Sequence, residues 1–233
     1  MIDLEHVSKR YGEAVVLDDV TLHVRAGELV FVTGASGAGK STLLRLLFAA
    51  ERPSSGVVRV AGRDVSRIRT SGIPYLRRNV GVVFQDFKLL RQRTAAENVA
   101  LALEVLGARR QEIARRVGAA LAEVGLAHRA DALPERLSGG EQQRLAVARA
   151  IVGEPAVLLA DEPTGNLDAA AAAEVLRLLL AAHARGTTVL VATHDLALLE
   201  RAQPRVVTLE RGKVVADRPP GNGAPHASGN DAR

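Results

Sequence analysis

The chain contains no cysteine and no tryptophan, and aromatic residues make up only 3% of its 233 positions. The absence of cysteine excludes disulfide bonds and thiolate metal sites, and it is compatible with a reducing cytosol. No apolar run approaches the roughly 18 residues that predict a membrane span. The opening residues, 1–6, already resemble a strand, so no signal peptide is expected. The sequence therefore predicts a soluble protein whose role at a membrane, if it has one, comes through a partner.

Neither sign of charge dominates the sequence. The chain has 31 Lys and Arg residues against 26 Asp and Glu residues, which gives a formal net charge of +5. The basic residues, all but four of them arginine, form no cluster along one face, so we expect no nucleic-acid partner. Hydrophobic residues make up 47% of the chain, which is enough for a sizeable core in one large domain or two small ones.

The strongest local signal is a glycine-rich segment that fits the phosphate-loop pattern G-x-x-x-x-G-K-[ST]. The apolar run 29–32 precedes it and the run 43–47 follows it, as a strand and a helix should. The glycines let the backbone curl so that successive N–H groups and the helix N-terminus surround phosphate oxygens. Lys40 is predicted to reach the terminal phosphates and Ser41 to bind Mg²⁺. We therefore predict a nucleoside triphosphate site at Gly34, Ala35, Ser36, Gly37, Ala38, Gly39, Lys40, Ser41 and Thr42.

Chemically active side chains follow two further apolar strands. Asp161 and Glu162 end the run 156–160, and two adjacent carboxylates there are costly unless each has a task. Beside a phosphate loop, Asp161 suits Mg²⁺ and Glu162 suits the polarisation of a water for in-line attack. The alternative is a solvated strand end. His194 lies at the end of the run 187–192, where open α/β sheets place ligands.

Four other features have both a structural and a functional interpretation. Tyr11, after the first predicted strand, is either a rim aromatic or a platform for adenine stacking. Gln85 ends another strand and is either a polar terminus or a group that reaches the metal or the attacking water. The apolar segment 87–91 is either interior packing or an exposed docking groove. Ser138 and Glu141 have capping-box spacing, and the two glycines between them also suit an anion-binding helix N-terminus.

The order and spacing of these motifs resemble the nucleotide-binding domain of ABC ATPases over roughly residues 1–216. The resemblance implies an α/β P-loop NTPase fold with a mixed central sheet, an N-terminal antiparallel β subdomain and an α-helical subdomain inserted at about 86–153. Within the antiparallel part, the pair Asp18-Asp19 predicts the turn between the first two strands. Residues 217–233 are rich in Pro, Gly, Asn and Ala, and this composition predicts a disordered tail.

The same resemblance implies a head-to-tail homodimer with two ATP molecules and Mg²⁺ at its interface. Each ATP would lie between one subunit's phosphate loop and the other's signature, Ser138, Gly139, Gly140 and Glu141. The metal ligands would be Ser41, Gln85 and Asp161.

Individual roles follow from the family pattern. By resemblance, Tyr11 stacks on adenine, and Gln85 links the metal and the attacking water to a membrane partner. Glu162 is the catalytic carboxylate, His194 contacts the γ-phosphate, and Asp168 communicates across the dimer.

Three stretches, 71–78, 84–90 and 159–168, more closely resemble a cell-division subfamily of ABC ATPases. The last is shared with lipoprotein-release and macrolide-efflux ATPases, so an exporter subunit is the alternative. The cell-division resemblance implies a peripheral protein on the cytoplasmic face of the bacterial inner membrane. It would move an integral membrane partner that activates septal cell-wall hydrolases through their regulators. The partner is expected in a groove formed by Phe84, Phe87, Leu89 and Leu90.

Two other classes of function fit the sequence less well. Soluble ABC proteins that act on ribosomes or DNA usually carry two such domains or a long coiled-coil insertion, and this sequence shows neither. A nucleotide-gated scaffold, in which hydrolysis matters little, is disfavoured by the presence of Glu162 and His194. ATP hydrolysis is the expected activity.

Overall fold

The computed structural model describes residues 1–221, except for the side chains of residues 196 and 197. The strands in this part of the chain are β1 (Ile2–Tyr11), β2 (Ala14–Val24), β3 (Leu29–Thr33), β4 (Ser55–Val60), β5 (Arg63–Asp64), β6 (Val80–Val83), β7 (Val157–Asp161), β8 (Thr188–Ala192), β9 (Arg205–Glu210) and β10 (Lys213–Arg218). The α-helices are α1 (Lys40–Leu47), α2 (Ile73–Arg77), α3 (Ala95–Leu106), α4 (Arg110–Glu123), α5 (Gly139–Ile151), α6 (Ala169–Ala184) and α7 (Leu196–Ala202).

A six-stranded central sheet has the order β10-β9-β3-β8-β7-β6. β10 is antiparallel to β9, and the other neighbouring strands are parallel, so the sheet is mixed as predicted. β3 and β8 are buried along their whole length, which explains why they read as continuous apolar runs. Because parallel strands end at one edge, the segments after β3, β7 and β8 meet there. The phosphate loop, Asp161 and His194 are therefore brought to the same edge.

Side chains from alternate positions of the central strands pack into two different hydrophobic clusters. Phe31 of β3 joins the cluster that contains most of the buried residues of α3 to α6, whereas Val30 and Val32 join the cluster of the antiparallel sheet and α1. This alternation follows from the two-residue period of a strand. Phe31 is completely buried, and its truncation to alanine is expected to cost about 3–5 kcal/mol.

The N-terminal strands form a second, antiparallel sheet of order β2-β1-β4-β5, in agreement with the expected antiparallel β subdomain. The predicted turn at Asp18-Asp19 is wrong. The chain turns at residues 12–13, and both aspartates lie within β2. Asp19 has a left-handed backbone, with φ 54°, at a register shift between β1 and β2. Aspartate tolerates this conformation, so the feature that suggested a turn is a β-bulge.

Helices α3, α4 and α5 lie between β6 and β7 in the chain, within the segment expected to be helical. Thr94 and Glu97 form a reciprocal capping box at the start of α3. Asn98 is completely buried, and its side-chain amide donates to the carbonyls of Leu90, Arg93 and Thr94. These bonds attach the loop after β6 to α3. No helix in the described part of the chain is long and apolar enough to cross a membrane.

The C-terminal strand extends further than predicted. β10 runs to Arg218, two residues past the expected end of the folded part at 216. Arg205 on β9 donates to both carboxylate oxygens of Asp217, at 2.8 and 2.7 Å, and this ion pair ties the end of β10 to its neighbour. The prediction of disorder is therefore wrong for residues 217 and 218. Residues 222–233 of the predicted tail lie outside the described residues.

Candidate functional site

Three glycines give the loop between β3 and α1 its shape. Gly34, Gly37 and Gly39 have φ angles of 145°, 79° and 104°, which L side chains rarely adopt. At Gly34, an added Cβ atom would lie 2.2 Å from the carbonyl oxygen of Leu209. At Gly39 it would lie 2.8 Å from the carbonyl oxygen of Val16. Two of the glycines are therefore required for close packing as well as for backbone conformation.

Lys40 is held in place at the first position of α1. Its Nζ atom donates to the carbonyl oxygens of Gly34 at 2.8 Å and Ala35 at 3.2 Å, and it lies 3.5 Å from Oε1 of Glu162. The side chain is only 7% exposed. A buried ammonium group requires such partners, because unpaired burial of a charge costs several kcal/mol. The loop therefore presents a fixed positive charge directly beside a carboxylate.

The loop opens onto a cavity of about 610 Å³. Most of the sequence-predicted site residues line it, and its lining consists of Val16, Ala35, Ser36, Gly37, Gly39, Lys40, Ser41, Thr42, Gln85, Glu162 and His194. Val16 was missed by sequence reasoning, because it reaches the cavity from the antiparallel sheet and no local motif marks it. Gly34 and Ala38 belong to the same loop but do not line the cavity, and Ala38 is buried.

Ser41 and Asp161 place two oxygen atoms together beside this cavity. The Ser41 hydroxyl donates to Oδ1 of Asp161 at 2.9 Å. Burial raises the pKa of Asp161, and the bond from Ser41 only partly offsets this effect. Gln85 lines the cavity at the end of β6, and its Nε2 atom lies 3.5 Å from the position that a Cβ on Gly165 would occupy. A hydroxyl, a carboxylate and an amide from three separate elements thus lie around one edge of the sheet.

Glu162 has an unusual backbone. Its φ angle is 44°, a left-handed conformation that costs a non-glycine residue about 1–2 kcal/mol. Its N–H donates to the carbonyl oxygen of Ala192 at the end of β8, at 2.8 Å. The side chain is 12% exposed, and its Oε1 atom lies 2.9 Å from Nδ1 of His194. The strained residue therefore directs its carboxylate toward both Lys40 and His194.

The predicted signature forms the N-terminus of α5. Ser138 caps the helix in a reciprocal capping box with Glu141, and the backbone N–H of Ser138 lowers the pKa of the Glu141 carboxyl. Gly140 packs against α6, since an added Cβ atom would lie 3.0 Å from Cβ of Ala171. Asp168 caps α6 by accepting a hydrogen bond from the Ala171 N–H at 2.7 Å.

The signature and the phosphate loop line different cavities. Ser138, Gly139, Gly140 and Asp168 line a cavity of about 440 Å³, which shares no lining residue with the cavity of the phosphate loop. Glu141 lines neither of the two, because its carboxylate is used in the capping box. Within one chain, the two glycine-rich motifs are therefore not parts of one site.

Tyr11 is the last residue of β1, contrary to the prediction that it follows that strand, and it does not line the 610 Å³ cavity. The ring is 42% exposed, and Nζ of Lys9 lies 4.8 Å from its centroid. Lys9 also pairs with Glu51 at 2.8 Å. The pKa of the Tyr11 hydroxyl is raised, mainly by burial and to a smaller extent by Glu51, whereas Thr42 lowers it. Tyr11 therefore lies close to Thr42, which lines the cavity.

Of the four residues expected to form the partner groove, Phe84 lines an apolar cavity. Leu89 packs against the hydrophobic core, and Leu90, although 40% exposed, has its backbone held by Asn98. The carbonyl oxygen of Phe87 accepts a hydrogen bond from Arg149 at 2.8 Å. The four residues thus have different surroundings, and the groove stays a prediction.

The apolar cavity that contains Phe84 has a volume of about 420 Å³ and is built from distant parts of the chain. It lies between the central sheet and the helical segment, and it is lined by Phe48, Arg77, Arg78, Val80, Gly81, Val82, Phe84, Leu101, Ala102, Val105, Leu106, Arg149, Ala150, Gly153 and Pro155. Local sequence patterns could not indicate this surface, because its residues come from α2, β6, α3, α5 and the segments between elements. Its three arginines form no ion pair within the described residues.

Comparison with known proteins identifies the family. Residues 17–165 match the family model described as ABC transporter. The chain is 52% identical over 215 residues to the cell division ATP-binding protein FtsE of Escherichia coli (strain K12), which covers 92% of this chain and 97% of that protein. It is 51% identical over 219 residues to FtsE of Mycobacterium tuberculosis (strain ATCC 25618 / H37Rv), which covers 93% of this chain and 95% of that protein.

A solved structure of a related protein also supports the fold. The dimeric post-hydrolysis state of the ATP-binding cassette MJ0796 bound to ADP and Pi superimposes with a TM-score of 0.86 at 33% sequence identity, covering 94% of this chain and 98% of that one. The family and fold predicted from the motifs are confirmed, including nucleotide binding and ATPase activity. The chain belongs to the ABC transporter ATP-binding family and, within it, to the cell division ATP-binding proteins of the FtsE type.

Proposed function

We propose that this FtsE-family ATPase hydrolyses ATP in the cavity of its phosphate loop and transmits the cycle to an FtsX-like integral membrane subunit. The observation that carries the proposal is that Glu162 contacts both Lys40 and His194, although the three residues come from three segments of the chain. Its Oε1 atom lies 3.5 Å from Nζ of Lys40 and 2.9 Å from Nδ1 of His194. A buried cation, a carboxylate and an imidazole at the carboxyl edge of a parallel sheet suit phosphoryl transfer to water.

The phosphate loop binds the substrate. Its backbone N–H groups and the N-terminus of α1 would surround the β- and γ-phosphates, while Lys40 would neutralise part of their charge. The carbonyl oxygens of Gly34 and Ala35 hold the ammonium group in place before the substrate arrives. Tyr11, which lies close to Thr42, would stack on the adenine ring, an interaction worth about 1–3 kcal/mol.

The residues beside the loop fit a magnesium ion. Mg²⁺ prefers oxygen ligands and is usually bound by one or two carboxylates together with substrate phosphates. Ser41 and Asp161 supply a hydroxyl and a carboxylate, Gln85 supplies an amide oxygen, and the buried carboxyl group of Asp161 has a raised pKa that a nearby cation would reverse. When bound, the ion would neutralise part of the negative charge of the substrate phosphates.

Glu162 is the residue that we assign to the chemical step. Its carboxylate accepts a proton from the attacking water as the water oxygen bonds to the γ-phosphorus and the bond to the ADP oxygen breaks. His194, bonded to the same carboxylate, would hold the γ-phosphate in line. General-base assistance of this kind contributes about 10²–10⁴-fold in rate.

The site is completed by a second copy of the chain. Because the signature lines a different cavity from the phosphate loop, it can act on ATP only across a subunit interface. A head-to-tail homodimer would place Ser138, Gly139 and Gly140 of one chain against the nucleotide held by the other. Asp168, in the same cavity as the signature, would report the state of one site to the other. The dimeric ADP-bound cassette described above supports this arrangement.

The membrane partner is expected to dock in the apolar cavity around Phe84. Val105 is 54% exposed at this cavity and offers a contact for an apolar side chain. Arg77, Arg78 and Arg149 line it without an acidic partner among the described residues, so the inserted segment should carry carboxylates. The protein would thereby be held at the cytoplasmic face of the inner membrane. An FtsX-like subunit would pass the movement to the regulators of septal cell-wall hydrolases.

The test is affinity purification of the chain from its native membranes, with identification of the membrane subunit that accompanies it. A four-span FtsX-like protein is expected. Val105→Asp should abolish the association without changing ATP binding, because it places a carboxylate beside an apolar contact. Val215→Asp, a substitution of an equally exposed valine on β10, is the matched control. Recovery of an exporter permease instead, or survival of the complex in Val105→Asp, would refute the coupling proposal.

A further inference from the structure

Gln143 is a buried polar residue to which no role has yet been assigned. It lies in the second turn of α5 and is 1% exposed. Its Nε2 atom donates to the carbonyl oxygen of Pro163 at 2.6 Å. Its Oε1 atom has no hydrogen-bond partner among the described residues. A buried amide that is only half satisfied is unfavourable for folding alone, so its presence requires another explanation.

The single bond of Gln143 joins two functional segments. Gln143 shares α5 with the signature that begins at Ser138. Pro163 directly follows Glu162, the residue with the left-handed backbone. The peptide of Pro163 is part of a tight turn, because the N–H of Gly165 donates to the carbonyl oxygen of Glu162 at 3.2 Å. A shift of α5 would therefore act on the backbone next to the catalytic carboxylate.

We propose that Gln143 is a positioning residue that fixes the turn after Glu162 and couples the two ATP sites of the dimer. The inference rests on the proposed function, in which the signature of one chain contacts the ATP bound by its partner. Glu162 of that chain acts on the chain's own ATP. The Gln143 to Pro163 bond thus links, within one subunit, the group that senses one nucleotide to the group that hydrolyses the other.

Substitution of Gln143 by methionine separates this role from a purely structural one. Methionine has a similar length and fills the same space, so no large cavity is expected. It removes the donor to Pro163, but it also removes the unpaired Oε1 atom. The two effects on folding oppose each other, so the thermal stability of the variant should remain close to that of the parent.

The experiment compares the full-length parent, Gln143→Met and Gln142→Met as purified proteins. Gln142 is the matched control, because the bond that its Nε2 atom makes among the described residues goes to the carbonyl oxygen of Leu137, just before the same helix. The measurements are steady-state kcat, KM and Hill coefficient for ATP, the affinity for a fluorescent ADP analogue, and the melting temperature. For Gln143→Met, we expect kcat to fall about tenfold or more, equivalent to about 1.4 kcal/mol of barrier, and the Hill coefficient to approach one. KM, ADP affinity and melting temperature should stay near the parent values.

Three results would overturn the proposal: an unchanged kcat, a loss of kcat that accompanies a lower melting temperature, or an equal loss in Gln142→Met. Glu162→Gln is measured in the same series. If Glu162→Gln keeps the parent activity, the catalytic assignment itself is refuted. If Glu162→Gln is inactive while Gln143→Met behaves like the parent, only the positioning role fails.

Discussion

Substitution of Glu162 by glutamine tests the central assignment with the least change in shape. The amide keeps the size of the side chain and one oxygen that can accept from the backbone N–H of His194, which now lies 3.3 Å from Oε2. It removes the negative charge 3.5 Å from Nζ of Lys40 and the group that would take the proton from water. The variant should therefore bind ATP but not turn it over.

These contacts set the expected changes in the activation barrier and in the free energy of unfolding. Loss of a general base that contributes about 10²–10⁴-fold raises the barrier by about 3–5 kcal/mol. The free energy of unfolding should change less than the barrier, because Lys40 keeps its two carbonyl acceptors and is not left unpaired. We expect a loss of about 1–3 kcal/mol in the free energy of unfolding, typical of one hydrogen bond to a charged group. Nucleotide affinity should not fall, since the lost charge repels the phosphates.

The assay measures phosphate release by the purified variant, with size-exclusion chromatography in ATP to detect a trapped dimer. Glu123→Gln is the matched control, because Glu123 forms a surface ion pair with Arg185 far from the loop in sequence. The control should hydrolyse ATP at the parent rate. Phosphate release by Glu162→Gln at the parent rate would show that another group accepts the proton, and the assignment of Glu162 would have to be abandoned.

Three further predictions address the loop and the last strand. Lys40→Ala should abolish tight ATP binding in calorimetry, and an unchanged affinity would rule out the phosphate-loop interpretation. Gly34→Ala should destabilise the apoprotein in urea by several times the roughly 1 kcal/mol expected for Gly37→Ala, because only the former places a Cβ against backbone; equal losses would contradict this. Pairing with Arg205 lowers the pKa of Asp217 in the folded protein. The ionised carboxylate therefore stabilises the fold at any pH above the ordinary pKa of aspartate, about 3.9. This stabilisation is lost as the pH falls through the lower pKa of the folded state. Asp217→Asn should therefore cost about 0.5–1 kcal/mol at neutral pH, a difference that disappears in urea titrations at strongly acidic pH.

The features that the sequence predicted well are those carried by local signals. The phosphate loop needs closely spaced glycines and a following helix, and the buried strands β3, β7 and β8 need only short apolar runs. The capping box at Ser138 likewise depends on two residues that are three positions apart. In each of these cases the physical cause lies within a few residues of the observed structure.

The features that were missed depend on distant partners. Val16 reaches the phosphate-loop cavity only because the antiparallel sheet packs beside α1. The apolar cavity around Phe84 is formed by residues of the central sheet, α3 and α5. A run of neighbouring apolar residues in the sequence therefore could not predict it. Asp217 belongs to a strand because Arg205 binds it from twelve residues away. Composition alone suggested disorder at that position.

The placement of the two glycine-rich motifs in separate cavities has a genetic consequence. In the proposed head-to-tail dimer, a chain with a defective Lys40 and a chain with a defective Ser138 are each inactive with a copy of themselves. When the two are expressed together, a mixed dimer forms that has two sites. One site combines an intact loop with an intact signature, and the other contains both defects. Two null alleles of this one gene should therefore complement each other, whereas two alleles that both affect the loop should not.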